Sequence, residues 1–137
     1  MDLTAGYSGK PLALKLGLHN GQRVWFDRLP DSVADEIGEY ALDLIPIADP
    51  ADGIDAAHIF VIERAVLEQH LIALRKQIAP AGQVWVSWPK KAAKVPTDIT
   101  EDTIRELALP LGFVDTKVCA VDEVWSGLKL VIRKELR

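Results

Sequence analysis

Trp88-Pro89-Lys90-Lys91-Ala92-Ala93-Lys94 places three ammonium groups within five residues, directly after an apolar run that reads as a strand. Such a cluster attracts phosphate or carboxylate groups, and the Trp88 ring offers a stacking face or a cation–π partner. The competing reading is a solvated loop whose lysines serve solubility. Asp122-Glu123-Val124-Trp125-Ser126-Gly127 supplies candidate counter-charges. If the two loops meet, its acids would pair with Lys90 or Lys91 in a network contributing up to about 1 kcal/mol. An exposed patch formed by Trp88 and Trp125 would point instead to a protein partner. Trans is the expected form of the Trp88–Pro89 bond, although X-Pro bonds tolerate cis.

Other reactive residues lack the company their chemistry needs. Ser8-Gly9-Lys10 is not a phosphate loop: Gly6 and Gly9 are too close, Pro11 replaces the hydroxyl residue, and no strand precedes it. Val86-Ser87-Trp88 lacks the glycines of a nucleophile elbow. His19, His58 and His70 are scattered, with no acid at ligand spacing. His58 and His70 read as packed, hydrogen-bonded histidines. Cys119 reads as a small core residue. No catalytic or metal-binding set is expected.

The 137-residue chain is 49% hydrophobic and 26% charged, the composition of one ordinary globular domain spanning 1–137. Its apolar runs fall well short of the roughly 18 residues a membrane span needs. Met1 to Gly6 shows neither the basic nor the apolar region of a signal peptide. A lone cysteine cannot form an internal disulfide, which suits a soluble cytoplasmic protein. Net charge is −4, with 7 basic and 12 acidic side chains in residues 1–89 against 9 and 8 in residues 90–137. That balance disfavours a general nucleic-acid binder while leaving room for a local basic site in the last third.

The elements that must position these residues alternate. A short helix is expected over Pro11–Leu16, a strand over Arg23–Phe26, and a helix from an Asp31 or Ser32 cap to Tyr40. A strand follows over Leu42–Ala48, then a buried one over Ala56–Ile62. Leu67, Leu71, Leu74 and Ile78 recur at helical spacing, giving a helix over Glu63–Ile78 that Pro80-Ala81-Gly82 stops. Gln83–Trp88 is the next buried strand. Thr100 caps a helix that Pro110 truncates before Gly112. Strands over Phe113–Val121 and Trp125–Arg133 end the chain, the last antiparallel and at or near one edge. Gly127, early in that strand, signals a bulge or a close backbone approach.

This order is that of a doubly wound α/β sheet closed by an antiparallel hairpin, a three-layer Rossmann-like architecture with a mostly parallel sheet. It resembles a trimmed class I methyltransferase domain. Ala79-Pro80-Ala81-Gly82-Gln83 before Val84-Trp85-Val86 looks like the Pro-Gly-Gly turn before the fifth strand of that fold, and Leu111-Gly112-Phe113 like the step into its sixth. Nearly the whole chain also resembles a bacterial family of short domains of unknown function. The carrying segments are Gly6-Tyr7-Ser8-Gly9-Lys10-Pro11-Leu12, Val84 to Lys91, Thr97-Asp98-Ile99-Thr100 and Val118 to Lys129.

The methyltransferase resemblance implies an S-adenosylmethionine site with a glycine-rich turn after the first strand and an acid ending the second. Asp49 or Asp52 can supply the acid. The turn reads Asp27-Arg28-Leu29-Pro30, with no glycine from Gln22 through Ile37. Side chains there would fill the space that bare backbone leaves for a cofactor, and a non-glycine residue in a left-handed turn costs roughly 1–2 kcal/mol. The expectation is therefore a pseudoenzyme: a fold with a degenerate cofactor turn (Asp27, Arg28, Asp49), no cofactor and no catalysis. It would bind a protein partner or a small anionic ligand through Trp88, Lys90, Lys91, Lys94 and Trp125. The alternative is a methyltransferase or adenosyl-ligand binder with a pocket remodelled around Asp27 and Asp49.

Overall fold

Two strands buried on both faces set the architecture of the computed structural model, which describes residues 9–137. The glycine-containing stretch up to Ser8, and the Ser8 of the rejected phosphate loop, lie outside the described residues. The elements run α1 (Leu12–Lys15), β1 (Arg23–Asp27), α2 (Asp31–Gly38), β2 (Ile45–Pro46), β3 (Ile54–Phe60), α3 (Arg64–Gln77), β4 (Ile78–Pro89), α4 (Glu101–Ala108), β5 (Phe113–Ala120) and β6 (Trp125–Ile132). One six-stranded sheet has the order β2-β1-β3-β4-β6-β5, in which β6 alone runs against its neighbours. The antiparallel strand is therefore next to the edge, and β5 forms the edge itself.

Alternation along the central strands divides the core. Val84, Val86 and Trp88 of β4 pack with Leu67, Leu71 and Leu74 of α3 and Ile104 of α4. Trp85 of β4 and Ala56 and Phe60 of β3 pack with Leu12 and Leu16 of α1 and Val33 and Ile37 of α2. Each helical pair thus covers one face, as a doubly wound sheet requires.

Local chemistry explains where the elements depart from expectation. The predicted strand over Leu42–Ala48 shrinks to Ile45–Pro46, an edge strand that tolerates Pro46 because the nitrogen of that residue faces away from β1. The bonds Ile45 N–H to Gln22 O (2.8 Å) and Ile47 N–H to Val24 O (2.8 Å) bracket it, while Leu42 and Leu44 turn into the core. Neither Asp31 nor Ser32 caps α2. Pro30 occupies the cap position with an extended backbone (ψ 143°) and no side-chain bond.

Pro80-Ala81-Gly82 is not a turn between helix and strand. The chain leaves α3 directly into β4 at Ile78, which pairs with Ile54 across an irregularity in the β3 ladder. A Cβ on Gly82 would lie 2.6 Å from the Asp55 carbonyl oxygen, so glycine there permits close strand approach. At Thr100 the expectation holds: its hydroxyl accepts from Thr103 N–H, and the Thr103 side chain accepts from the Thr100 N–H. Gly127 is likewise a close approach, its Cβ position being 3.1 Å from Val121 Cγ2 and 3.2 Å from the Trp85 ring. Cys119 is only half-buried, on the α1 side near Lys15 and Lys117, and burial pushes its thiol pKa up.

Candidate functional site

The carboxyl ends of β1, β3 and β4, with the β5–β6 turn, form one rim of the sheet, since β6 begins with Trp125 opposite Pro89. In open α/β sheets this is the rim where ligands bind. Two hollows open on it.

The first measures about 540 Å³ and is lined by Trp88, Lys90, Lys91, Lys94, Thr97, Thr100 and Glu101, among others. A short 3-10 turn over Lys91–Ala93 ends at Lys94 in the left-handed conformation (φ 56°), which folds the loop back and gathers the three lysines. The Trp88–Pro89 bond is trans, as no described peptide bond is cis. Trp88 is only 8% exposed and packs into the α3-side core, so it forms the floor of the hollow and presents no stacking face.

The two loops do meet, through Lys90 N–H donating to Val124 O at 2.7 Å. The acids nevertheless leave the lysines alone. Asp122 Oδ1 accepts from the N–H groups of Val124 (2.8 Å) and Trp125 (2.7 Å). Glu101 is held by Arg105, and Asp98 Oδ1 accepts from Arg64 N–H at 2.7 Å. Among the described residues no ion pair includes Lys90, Lys91 or Lys94.

The second hollow, about 360 Å³, is bounded by Arg28, Phe60, Val61, Ile62, Glu63, Val66 and Trp125. Trp125 therefore belongs to a different hollow from Trp88, and the two rings form no common exposed patch. The Trp125 ring meets Phe60 edge-on, with centroids 5.2 Å apart. Arg28 holds φ 56°, so the turn after β1 keeps a left-handed residue without a glycine to occupy it. Leu29 packs into the core, and Asp27 Oδ2 accepts from His70 Nε2 at 3.0 Å. Side chains thus fill much of the turn, yet open space remains beside Arg28. Asp49 is not part of that space. It follows a strand paired only with Arg23 and Val24, and its Oδ1 caps the Pro50–Asp52 turn through Ala51 N–H at 2.9 Å.

One pair went unseen in the sequence. His58 Nε2 and Ser87 Oγ share a 2.7 Å hydrogen bond, with both residues buried. His58 stacks on Phe60 at 4.3 Å, its Nδ1 has no protein partner, and burial lowers its pKa to about 3. The register that places Phe60 against Ser87 on adjacent strands brings the pair together, and that register is not written locally. Among the described residues no three His, Cys, Asp or Glu side chains converge as a metal site, and no helix is long and apolar enough to cross a membrane.

The sequence profile of a family described as "Protein of unknown function (DUF3052)" matches residues 13–134. The chain belongs to this family. No curated protein matches the DUF3052 chain in sequence. Solved structures do match in fold. The ribosomal protein L11 methylase of Lactobacillus delbrueckii subsp. bulgaricus aligns at TM-score 0.54 and 12% identity, over 89% of this chain and 77% of that one. Fibrillarin of Aeropyrum pernix, solved with natively bound S-adenosyl-L-methionine, gives TM-score 0.53 and 13% identity over 88% and 73%. The Methanococcus jannaschii fibrillarin pre-rRNA processing protein gives 0.52 and 11% over 90% and 69%. The DUF3052 fold is thus Rossmann-like and of the class I methyltransferase type.

Proposed function

We propose that this single-domain chain is a non-catalytic binding module that holds a small polyanion, rich in phosphate or carboxylate groups, in the Lys90–Lys91–Lys94 hollow. One observation carries the reading: among the described residues, three ammonium groups border one cavity and none of them is in an ion pair, while Asp98, Glu101 and Asp122 are bonded to other groups. Uncompensated positive charge over a partly enclosed space is what an anion site needs. The acidic balance of the whole chain favours a small anion over a nucleic acid. Without an exposed tryptophan patch, the protein-partner version of this site loses its main support. A cytoplasmic location, where free thiols persist, suits the unpaired Cys119.

The competing reading, an adenosyl-ligand site, is favoured by the hollow beside Arg28 at the rim where this fold accommodates ligands. The residues present do not fit that ligand well. A Cβ-bearing Arg28 stands where bare backbone would approach it, and Asp49 is committed to its own turn.

Calorimetric titration with pyrophosphate and citrate, and separately with S-adenosylmethionine and its demethylated product, distinguishes the two. Expected is binding of the first pair that the Lys90→Ala, Lys91→Ala, Lys94→Ala triple variant abolishes without loss of thermal stability. Binding of the adenosyl compounds alone would establish the competing reading.

A further inference from the structure

Helix α3 is apolar on both sides. Leu67, Leu71 and Leu74 face the sheet, yet on the opposite side Ala65, Val66, Gln69, Ile72 and Ala73 are exposed, with Ile62 at the foot of the helix. Ile62, Val66 and Ile72 are 43%, 38% and 45% exposed. At helical spacing these residues form a single stripe about 120° wide, directly opposite the buried leucines. No described element covers it. An exposed apolar stripe of this kind marks an association surface.

We infer that the stripe joins two copies of this chain through antiparallel packing of α3 on α3. The pattern is its own complement. Val66 and Ile72 lie three residues either side of Gln69, and Ala65 and Ala73 four. A two-fold axis at Gln69 therefore sets Ile72 of one copy over Ala65 of the other, and Val66 over Ala73, large against small at each contact. A hollow of about 330 Å³ lined by Ala65, Val66, Gln69 and His70 opens on the stripe to receive a large side chain.

Charge agrees with the same arrangement. Arg64 turns aside to Glu106 at 3.8 Å, which leaves Glu63 and Glu68 flanking the amino-terminal half of the stripe, while Lys76 ends it. Antiparallel packing brings the acidic end of each helix to the basic end of the other and opposes the helix dipoles. A parallel pair would set like ends together. One 14-residue helix per copy buries area at the low end of specific interfaces, below about 1,200 Å², so the dimer is reversible.

Sedimentation equilibrium of the full chain, from low to high micromolar, tests this directly. Expected is a monomer–dimer equilibrium that Ile72→Glu weakens by about tenfold or more, with unchanged thermal unfolding at concentrations low enough for the parent to be monomeric, because Ile72 is exposed. Gln69→Cys, on the two-fold axis, should oxidise to a linked dimer. Lys76→Cys should not, since its counterpart lies at the far end, and the parent chain with Cys119 alone is the control. A parent monomeric throughout leaves the stripe to a different protein or to none, and overturns the inference. So does a dimer indifferent to Ile72→Glu, or one that Lys76→Cys links as readily as Gln69→Cys.

Discussion

His70 Nε2 lies 3.0 Å from Asp27 Oδ2, so the turn after β1 is fastened to the middle of α3. Both side chains are about three-quarters buried, and the His70 ring sits 5.8 Å from Trp25. The bond fixes the residue immediately before Arg28 in that turn. Replacing Asp27 by Ala should lower stability by about 1 kcal/mol, read as a shift of the urea midpoint. His70→Ala should do the same, and the double variant should lose less than the sum. Additive losses would mean that the two groups are not coupled. Trp25 fluorescence should change in both single variants.

His58 makes stability fall with acid. Its folded pKa is lowered to about 3 by burial, against an ordinary value of 6.5. Below pH 6.5 the unfolded chain takes up a proton that the folded chain refuses, so acid favours unfolding. The histidine's contribution is complete above 6.5 and is lost progressively as pH falls toward 3. The slope from this one group approaches roughly 1.4 kcal/mol per pH unit in that window. Replacing His58 by Leu together with Ser87 by Ala removes both partners and leaves no orphaned hydroxyl. Between pH 6 and 4 the double variant should lose about one proton's worth of this slope in urea titrations.

Gly82 predicts a sharper effect. Its Cβ position lies 2.6 Å from a backbone oxygen, that of Asp55, and 2.7 Å from Ile78 Cγ1. Backbone cannot step aside as a flexible side chain can. Gly82→Ala should cost about 2 kcal/mol or more, through overpacking at the β3–β4 junction. An unchanged melting temperature would show that the strands can separate there without penalty.

The parts legible in the sequence are those that local chemistry dictates. The leucines of α3, the Thr100 cap and the apolar strands β3 and β4 each carry their signal within a few residues. The parts that were not legible depend on residues far apart in the chain. Pro80-Ala81-Gly82 reads as a turn because its partner, the Asp55 carbonyl, lies 27 positions earlier. Asp27 and His70 are 43 apart, and His58 and Ser87 29 apart. The lysine hollow was legible as charge, since its residues are contiguous. That Trp88 would be its floor, and that Trp125 would line a separate hollow, required the sheet to be assembled.

Arg28 carries a cost that substitution can reveal. At φ 56° a residue with a Cβ crowds the following carbonyl, a strain of roughly 1–2 kcal/mol that glycine does not feel. Glycine also adds freedom to the unfolded chain, which offsets part of the relief by about 0.4–1 kcal/mol. Arg28→Gly should therefore be neutral or stabilising by up to about 1.6 kcal/mol. Arg28→Val keeps the Cβ and adds a branch, which the left-handed region tolerates least, so it should be clearly destabilising. Urea midpoints ordered Gly, Arg, Val from most to least stable would establish that the turn is held left-handed by its surroundings. Equal midpoints for all three would show that the turn relaxes freely and that Arg28 stores no strain.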